Sequence, residues 1–163
     1  MNLVTIYTDG ACTGNPGPGG YGAVVVNGHQ RQELSGGFRM TTNNRMELMA
    51  AIEALKSLIE PSKVKLYSDS KYLVDAMTLG WTDQWKSNRW RNSSKQKVSN
   101  SDLWKELLQQ CSRHQVTFAW VQGHAGNREN ERCDYLSTTA ARRRNLPPDK
   151  GYEGKTESPP ALF

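Results

Sequence analysis

Apolar and polar residues alternate over most of the first forty positions. Within Asn2–Cys12, Val4 and Ile6 are apolar and Thr5 and Tyr7 lie between them, a period of two that predicts a strand. The run Gly14-Asn15-Pro16-Gly17-Pro18-Gly19-Gly20 ends it, and Tyr21–Val26 predicts a second strand. Asn27-Gly28 follows, a strong hairpin signal because both residues tolerate positive φ. A third strand is expected over Gln30–Met40, weakened by Ser35-Gly36-Gly37, and the three should form an antiparallel meander.

At Thr41-Thr42-Asn43-Asn44 the period changes to 3.6. Leu48, Ala51, Ile52, Leu55, Leu58 and Ile59 trace one helical stripe, which Pro61 stops. Val64–Ser68 predicts a short strand, and Ser70 can cap a helix reaching about Met77. Such a crossover lays the new strand parallel to its neighbour. Asn100 or Ser101 caps a further helix in which Leu103, Leu107, Leu108 and Cys111 face inward. Val116, Phe118 and Trp120 alternate as a fifth strand, the loop Gly123-His124-Ala125-Gly126 follows, and a last helix is expected from Asn127 to Arg143. The order β-β-β-α-β-α-(basic helix)-α-β-α predicts an α/β fold, a five-stranded mixed sheet with helices packed on it.

Composition narrows the class. At 163 residues the chain is one domain, expected over 1–143 with a basic handle at about 80–98. Residues 144–163 contain four prolines and little apolar material, so a flexible tail is expected there. No apolar run reaches membrane-spanning length and no signal-peptide layout opens the chain, which predicts a cytoplasmic protein; nothing suggests more than a monomer. Three cysteines without CxxC or zinc spacing read as free thiols. The net charge of +5 permits a polyanionic partner. It is clustered: from Leu79 to Lys97, Trp81, Trp85 and Trp90 are interleaved with Lys86, Arg89, Arg91, Lys95 and Lys97 against the single acid Asp83.

Four acids stand at unusual positions. Asp9 falls at the end of the first strand, where a carboxylate is a poor strand former and costly to bury alone. Glu47 has Ala50, Ala51 and Ala54 on its face, a surface that can sit close to a sheet; by spacing it is equally the third residue of a capping box with Asn44 as N-cap. Asp69 ends the fourth strand, where open α/β sheets gather ligands and where a helix cap is also ordinary. Asp134 lies in the last helix beside Glu131 and Asn130, a pattern that also fits a solvated face. His124, flanked by glycine, suits proton transfer as well as a surface position. If the fold brings the four carboxylates together, they require cations. Oxygen ligands suit hard Mg²⁺ or Mn²⁺, and a pair of such ions suits phosphodiester hydrolysis.

The motifs YTDGACTGNPGPGGYGAV, TTNNRMELMAAIEAL, YSDSKYLV, NSDLW and WVQGHAGNRENERCDYLS, with the Trp/basic segment, resemble bacterial type 1 ribonuclease H, collinearly from about Val4 to Ala141. The resemblance implies an endonuclease that cuts the RNA strand of RNA–DNA hybrids with little sequence preference, leaving 5′-phosphate and 3′-hydroxyl ends. It implies that Asp9, Glu47, Asp69 and Asp134 hold two Mg²⁺ ions, with Mn²⁺ able to substitute, and that His124 assists proton transfer or product release. It places Asn15, Asn43 and Asn44 at the minor groove, where RNA 2′-hydroxyls are read. Cys12, Thr42 and Asn100 match contacts to the DNA strand, the last two at a DNA phosphate. Trp81, Trp85, Lys86 and Arg89 match the basic handle, and Lys71 replaces a glutamine common in the family, putting a point charge where an amide is usual. The run Arg142-Arg143-Arg144 lies outside the resemblance and reads as solubilising. A hybrid-binding module without catalysis would not need the four acids. A different metal nuclease or a strand-transferase would not need the asparagines or the handle.

Overall fold

The computed structural model describes residues 1–123 and 126–156. Eleven elements follow one another: β1 (Asn2–Cys12), β2 (Gly17–Asn27), β3 (Gln30–Thr41), α1 (Asn43–Lys56), β4 (Ser62–Ser68), α2 (Lys71–Thr78), α3 (Trp81–Ser87), α4 (Ser101–Cys111), β5 (Gln115–Trp120), α5 (Arg128–Ala141) and α6 (Lys150–Thr156). The five strands form one mixed sheet in the order β3-β2-β1-β4-β5. β1 pairs antiparallel with β2 and parallel with β4, so the meander meets the crossover strands at β1.

The period-two reading holds in β1: Val4 and Ile6 are buried, on the face against which α1, α2 and α4 form the main core with Leu48, Ile52, Leu55, Leu66, Leu73, Trp104 and Leu107. The other face receives α5. A Cβ on Gly22 would lie 2.7 Å from the Cys133 carbonyl oxygen and from the Leu136 Cβ, so the helix sits against bare backbone there. Gly22 pairs with Asp9, which places Asp9 on the α5 face, whereas Gly10 points toward α1.

Several elements depart from expectation. β2 begins at Gly17 rather than Tyr21, because the Gly/Pro run pairs with the ends of β1 and β3 instead of looping free. Leu58 joins the core at 7% exposed, but Ile59 is 91% exposed, since α1 ends at Lys56 with Ser57 as C-cap and the helical spacing is lost there. The basic helix ends at Ser87, and Arg89 and Trp90 then adopt positive φ (56° and 62°), turning the handle back until the Val98 N–H donates to the Trp90 carbonyl.

The expected flexible tail is contradicted over 145–156. Pro147 accepts a hydrogen bond from the Arg39 N–H at 2.9 Å, and Leu146 packs beside Gly37. Asp149 is 3% exposed, bound to Thr41 and Arg45, and Glu153 pairs with Arg39 at 2.9 Å. Prolines do not prevent order here, because contacts to β3 at Gly37, Arg39 and Thr41 hold the segment. Arg143 is held by Ser35 at 2.7 Å, so the arginine run is in part a structural contact. No helix among the described residues is long and apolar enough to cross a membrane.

Candidate active site

The parallel pairing of β1 and β4 sets Thr8 opposite Ser68, so the next residues, Asp9 still within β1 and Asp69 just past the end of β4, lie side by side where that pairing ends. Glu47 arrives from α1 because nothing stands between that helix and β1: a Cβ on Gly10 would lie 2.5 Å from the Glu47 nitrogen. The Gly10 N–H donates to Glu47 Oε1 at 2.6 Å and to Asp9 Oδ1 at 2.9 Å, bridging the two carboxylates. The capping-box reading is overturned. Thr42 is the N-cap, its Oγ1 accepting from the Arg45 N–H at 3.2 Å, and Asn44 is already inside the helix.

Asp9, Glu47 and Asp69 each offer a carboxylate oxygen, all within 4.8 Å of one another. Asp134 lines the same recess with Cys12, Asn43 and Ser70, outside that tight trio. Asp9 and Glu47 are 5% and 2% exposed, Asp69 and Asp134 half-buried. Burial pushes the Asp9 carboxyl up to about 7; the negative charges of Asp69 and Asp134 add to this, while hydrogen bonds from Glu47 and Gly10 oppose it. Glu47 is raised well above the carboxylate range by burial and then by Asp9. Acids held this way are short of positive charge. Three oxygens at this spacing, with no nitrogen or sulfur donor in the trio, fit a hard divalent cation.

The other candidates surround this recess unevenly. Asn15 Oδ1 accepts from the Asn43 N–H at 2.9 Å, so the Gly/Pro turn is tied to the start of α1; Asn44 is exposed beside them. Cys12 Sγ lies 3.4 Å from the Thr41 carbonyl and 3.5 Å from that of Gly17. The Lys71 ammonium sits 4.7 Å from the Trp120 ring centroid, and the Trp120 indole N–H donates to the Asp69 carbonyl at 3.2 Å. Trp120, the last residue of β5, is 44% exposed and flanks the site. Trp85 is a core contact: its ring lies 5.3 Å from Trp104 and 6.4 Å from both Trp81 and Trp90. The Trp ladder fastens the handle to the body and leaves Lys86 and Arg89 exposed, with Trp81 half-buried. His124 lies outside the described residues.

Pattern reading passed over one buried charge on the same helix as Glu47. Arg45 is 1% exposed and ion-paired to Asp149 at 2.7 Å and to Asp102 at 2.8 Å. Burial alone would lower its pKa, but the hydrogen bonds and charges of Asp102 and Asp149 outweigh that and leave it raised. Its signal in the sequence is a single arginine in an otherwise apolar-faced helix, with no hint of the partner about a hundred residues on. Asn100 caps α4 by position, not by its side chain; its Oδ1 accepts from Arg45 Nη1 at 3.4 Å and its Nδ2 donates to the Tyr72 hydroxyl at 3.2 Å.

Comparison with known proteins adds to this geometry. The RNase H family model matches residues 1–142. A ribonuclease H of Trichodesmium erythraeum is 59% identical over 150 residues, covering 92% of this chain and 96% of the relative. A ribonuclease HI of Synechocystis sp. is 57% identical over 152 residues, covering 93% and 95%. Among solved structures, LC9-RNase H1, a type 1 RNase H with the type 2 active-site motif, superposes with a TM-score of 0.78 at 35% identity, over 86% of this chain and 72% of that one.

Proposed function

The chain belongs to the RNase H family, of the bacterial type 1, and is a metal-dependent endoribonuclease acting on the RNA strand of RNA–DNA hybrids; from that premise we propose which of its residues do the work. Asp9, Glu47 and Asp69, with Asp134 completing the set, hold two divalent ions, Mg²⁺ in the first place and Mn²⁺ as a substitute. The observation that carries this reading is the trio itself, three carboxylates within 4.8 Å of one another, of which the buried Asp9 and Glu47 have raised pKa values that a cation would bring down again. When bound, ions of this class activate water and offset the charge that gathers on the leaving oxygen.

The chain's own residues supply binding and alignment. Asn15, Asn43 and Asn44, clustered at the start of α1, present amides to the minor groove, where 2′-hydroxyls mark the RNA strand. Cys12, Thr42 and Asn100 lie on the side assigned to the DNA strand. Lys71, parked on Trp120, offers a charge to the backbone next to Asp69. Trp81 and the exposed Lys86 and Arg89 extend the contact along the duplex, where phosphate neutralisation gives affinity without sequence preference. Trp85 contributes by holding the handle in place. His124 is the proton carrier or product-release group. The products carry 5′-phosphate and 3′-hydroxyl ends, and the enzyme works as a cytoplasmic monomer.

The test is a strand-resolved cleavage assay with labelled RNA–DNA, RNA–RNA and DNA–DNA duplexes, with Mg²⁺ and with chelator. Cutting is expected only in the RNA strand of the hybrid and only with metal. Cleavage that survives the chelator would refute the metal assignment, and cleavage of DNA would refute the role given to the asparagines.

A further inference from the structure

We infer that Asp149, in the C-terminal segment, is a positioning residue for substrate: through Arg45 it fixes Asn100 and the cap of α1. The inference rests on the reading of Thr42 and Asn100 as the contacts to a DNA phosphate.

The Arg45 guanidinium has five N–H groups, and all five are used. Nε donates to Asp149 Oδ2 at 2.7 Å and Nη2 to Asp149 Oδ1 at 3.0 Å. Nη2 also reaches Asp102 Oδ2 at 2.8 Å, while Nη1 reaches Asp102 Oδ1 at 3.0 Å and Asn100 Oδ1 at 3.4 Å. A planar fork with every donor engaged admits one orientation. The backbone N–H of the same residue holds the Thr42 hydroxyl at 3.2 Å. Both side chains assigned to the phosphate are thus anchored on Arg45.

Asn100 depends on that anchor. Its φ is 61°, a left-handed conformation that non-glycine residues adopt only with local support. Two hydrogen bonds give that support: one from Arg45, the other to the Tyr72 hydroxyl, which is itself bound by the Trp104 indole at 3.0 Å. Arg45 in turn depends on Asp149. Its two carboxylate partners differ, Asp102 being 38% exposed and Asp149 3%. Asp149 therefore supplies the buried counter-charge, and Thr41 Oγ1 fixes it by donating to Oδ2 at 2.7 Å. Without it the guanidinium loses two of its five bonds and is drawn toward Asp102 and solvent, away from Asn100.

The experiment measures KM and kcat for hybrid cleavage, with Mg²⁺ and well below the melting temperature, for the parent, Asp149→Asn, Asn100→Ala and the double variant. Asp149→Asn should raise KM about threefold to tenfold with kcat within about twofold, and should add almost nothing once Asn100 is alanine. Arg45→Lys is measured alongside; it keeps a buried cation for Asp149 but lacks the fork that reaches Asn100, and should raise KM in the same Asn100-dependent way even if Asp149→Asn does not fold. An unchanged KM in Asn100→Ala would overturn the reading of Asn100 and the inference with it. A raised KM in Asn100→Ala beside unchanged values in the folded variants of Asp149 or Arg45 would overturn the inference alone. Equal increases with and without Asn100 would do the same, by showing that Asp149 acts elsewhere.

Discussion

Two buried charge clusters share the first turn and a half of α1, and they are built on opposite terms. Glu47 meets Asp9, a like charge, with both nearly sealed from solvent. Arg45, two residues earlier, meets Asp149, an opposite charge, equally sealed. Burying one charge is costly, and a matched pair with all its hydrogen bonds made offsets much of that cost, whereas two acids together add repulsion to it. The Arg45 cluster is complete in itself. The Glu47 cluster is incomplete without a proton or a cation, and that deficit separates a site of chemistry from a structural tie.

Asp9→Asn breaks this contrast most sharply. It should lower kcat for hybrid cleavage by roughly a thousandfold or more, since a ligand of the reacting centre is removed, while hybrid binding stays close to that of the parent. In chelator the same variant should be more stable than the parent, because the cost of burying the Asp9 charge, and with it the repulsion from Asp69 and Asp134, has gone. The gain expected is on the order of 2–4 kcal/mol, from a carboxyl raised from 3.8 to about 7. A variant that keeps full activity, or melts lower than the parent without metal, would reject the reading of Asp9 as a strained ligand.

Arg45→Ala makes the converse prediction. It leaves Asp149 buried without its partner and should destabilise the protein by about 3–5 kcal/mol, by a similar amount with and without Mg²⁺, as read by urea unfolding. A loss that appears only with Mg²⁺ would mean that the two clusters are coupled rather than separate.

The pH dependence distinguishes them further. The folded pKa of Asp9 lies above its unfolded value, so the unfolded chain gives up the proton first. Below about pH 4 both states are protonated and Asp9 makes no difference. As pH rises from about 4 to about 7 the metal-free fold loses stability at this residue, and above that range the loss is constant. Subtracting the unfolding free energy of Asp9→Asn from that of the parent should isolate this fall, and saturating Mg²⁺ should abolish it. A flat difference curve in chelator would show that the Asp9 carboxyl is not raised.

How far the sequence carried these clusters follows from the range of their contacts. Asp69 was legible because it follows the end of a strand, where ligands gather in such sheets, and Asp9 because a carboxylate stands out in an alternating strand, although β1 runs on past it to Cys12. Glu47 was ambiguous: Thr42 and Asn44 are both good caps two residues apart, and only the approach of α1 to Gly10 settles which one caps and where Glu47 points. Asp149 was hidden by composition. Its neighbours are prolines and polar residues, and its burial depends on an arginine more than a hundred positions earlier. Trp85 was read from its basic neighbours as a substrate contact, but the partner that defines it, Trp104, belongs to another helix. Periodicity reports a residue's own element. A buried ion pair or an aromatic contact between elements has no local signature.

A third cluster sets the lower bound of the comparison. On the surface joining β3 to α5, Arg31 bridges Glu33 and Glu129 at 2.9 and 2.8 Å, and Arg132 meets Glu33 at 2.7 Å. Hydrogen bonding from Arg132 and then Arg31 lowers the Glu33 carboxyl to about 2, although both arginine side chains are more than 40% exposed. Its folded pKa is depressed, so the stability it supplies is present above about pH 4.5 and fades as pH falls toward 2. Solvent and salt screen such contacts, and Glu33→Gln should cost no more than about 1 kcal/mol at neutral pH, less in high salt. Denaturant melts of this variant in low and high salt measure both effects. A loss approaching that of Arg45→Ala would mean that bond count rather than burial sets the strength of these networks. A loss that shrinks with salt, beside a salt-insensitive Arg45→Ala, places the difference between the clusters in their exclusion of water.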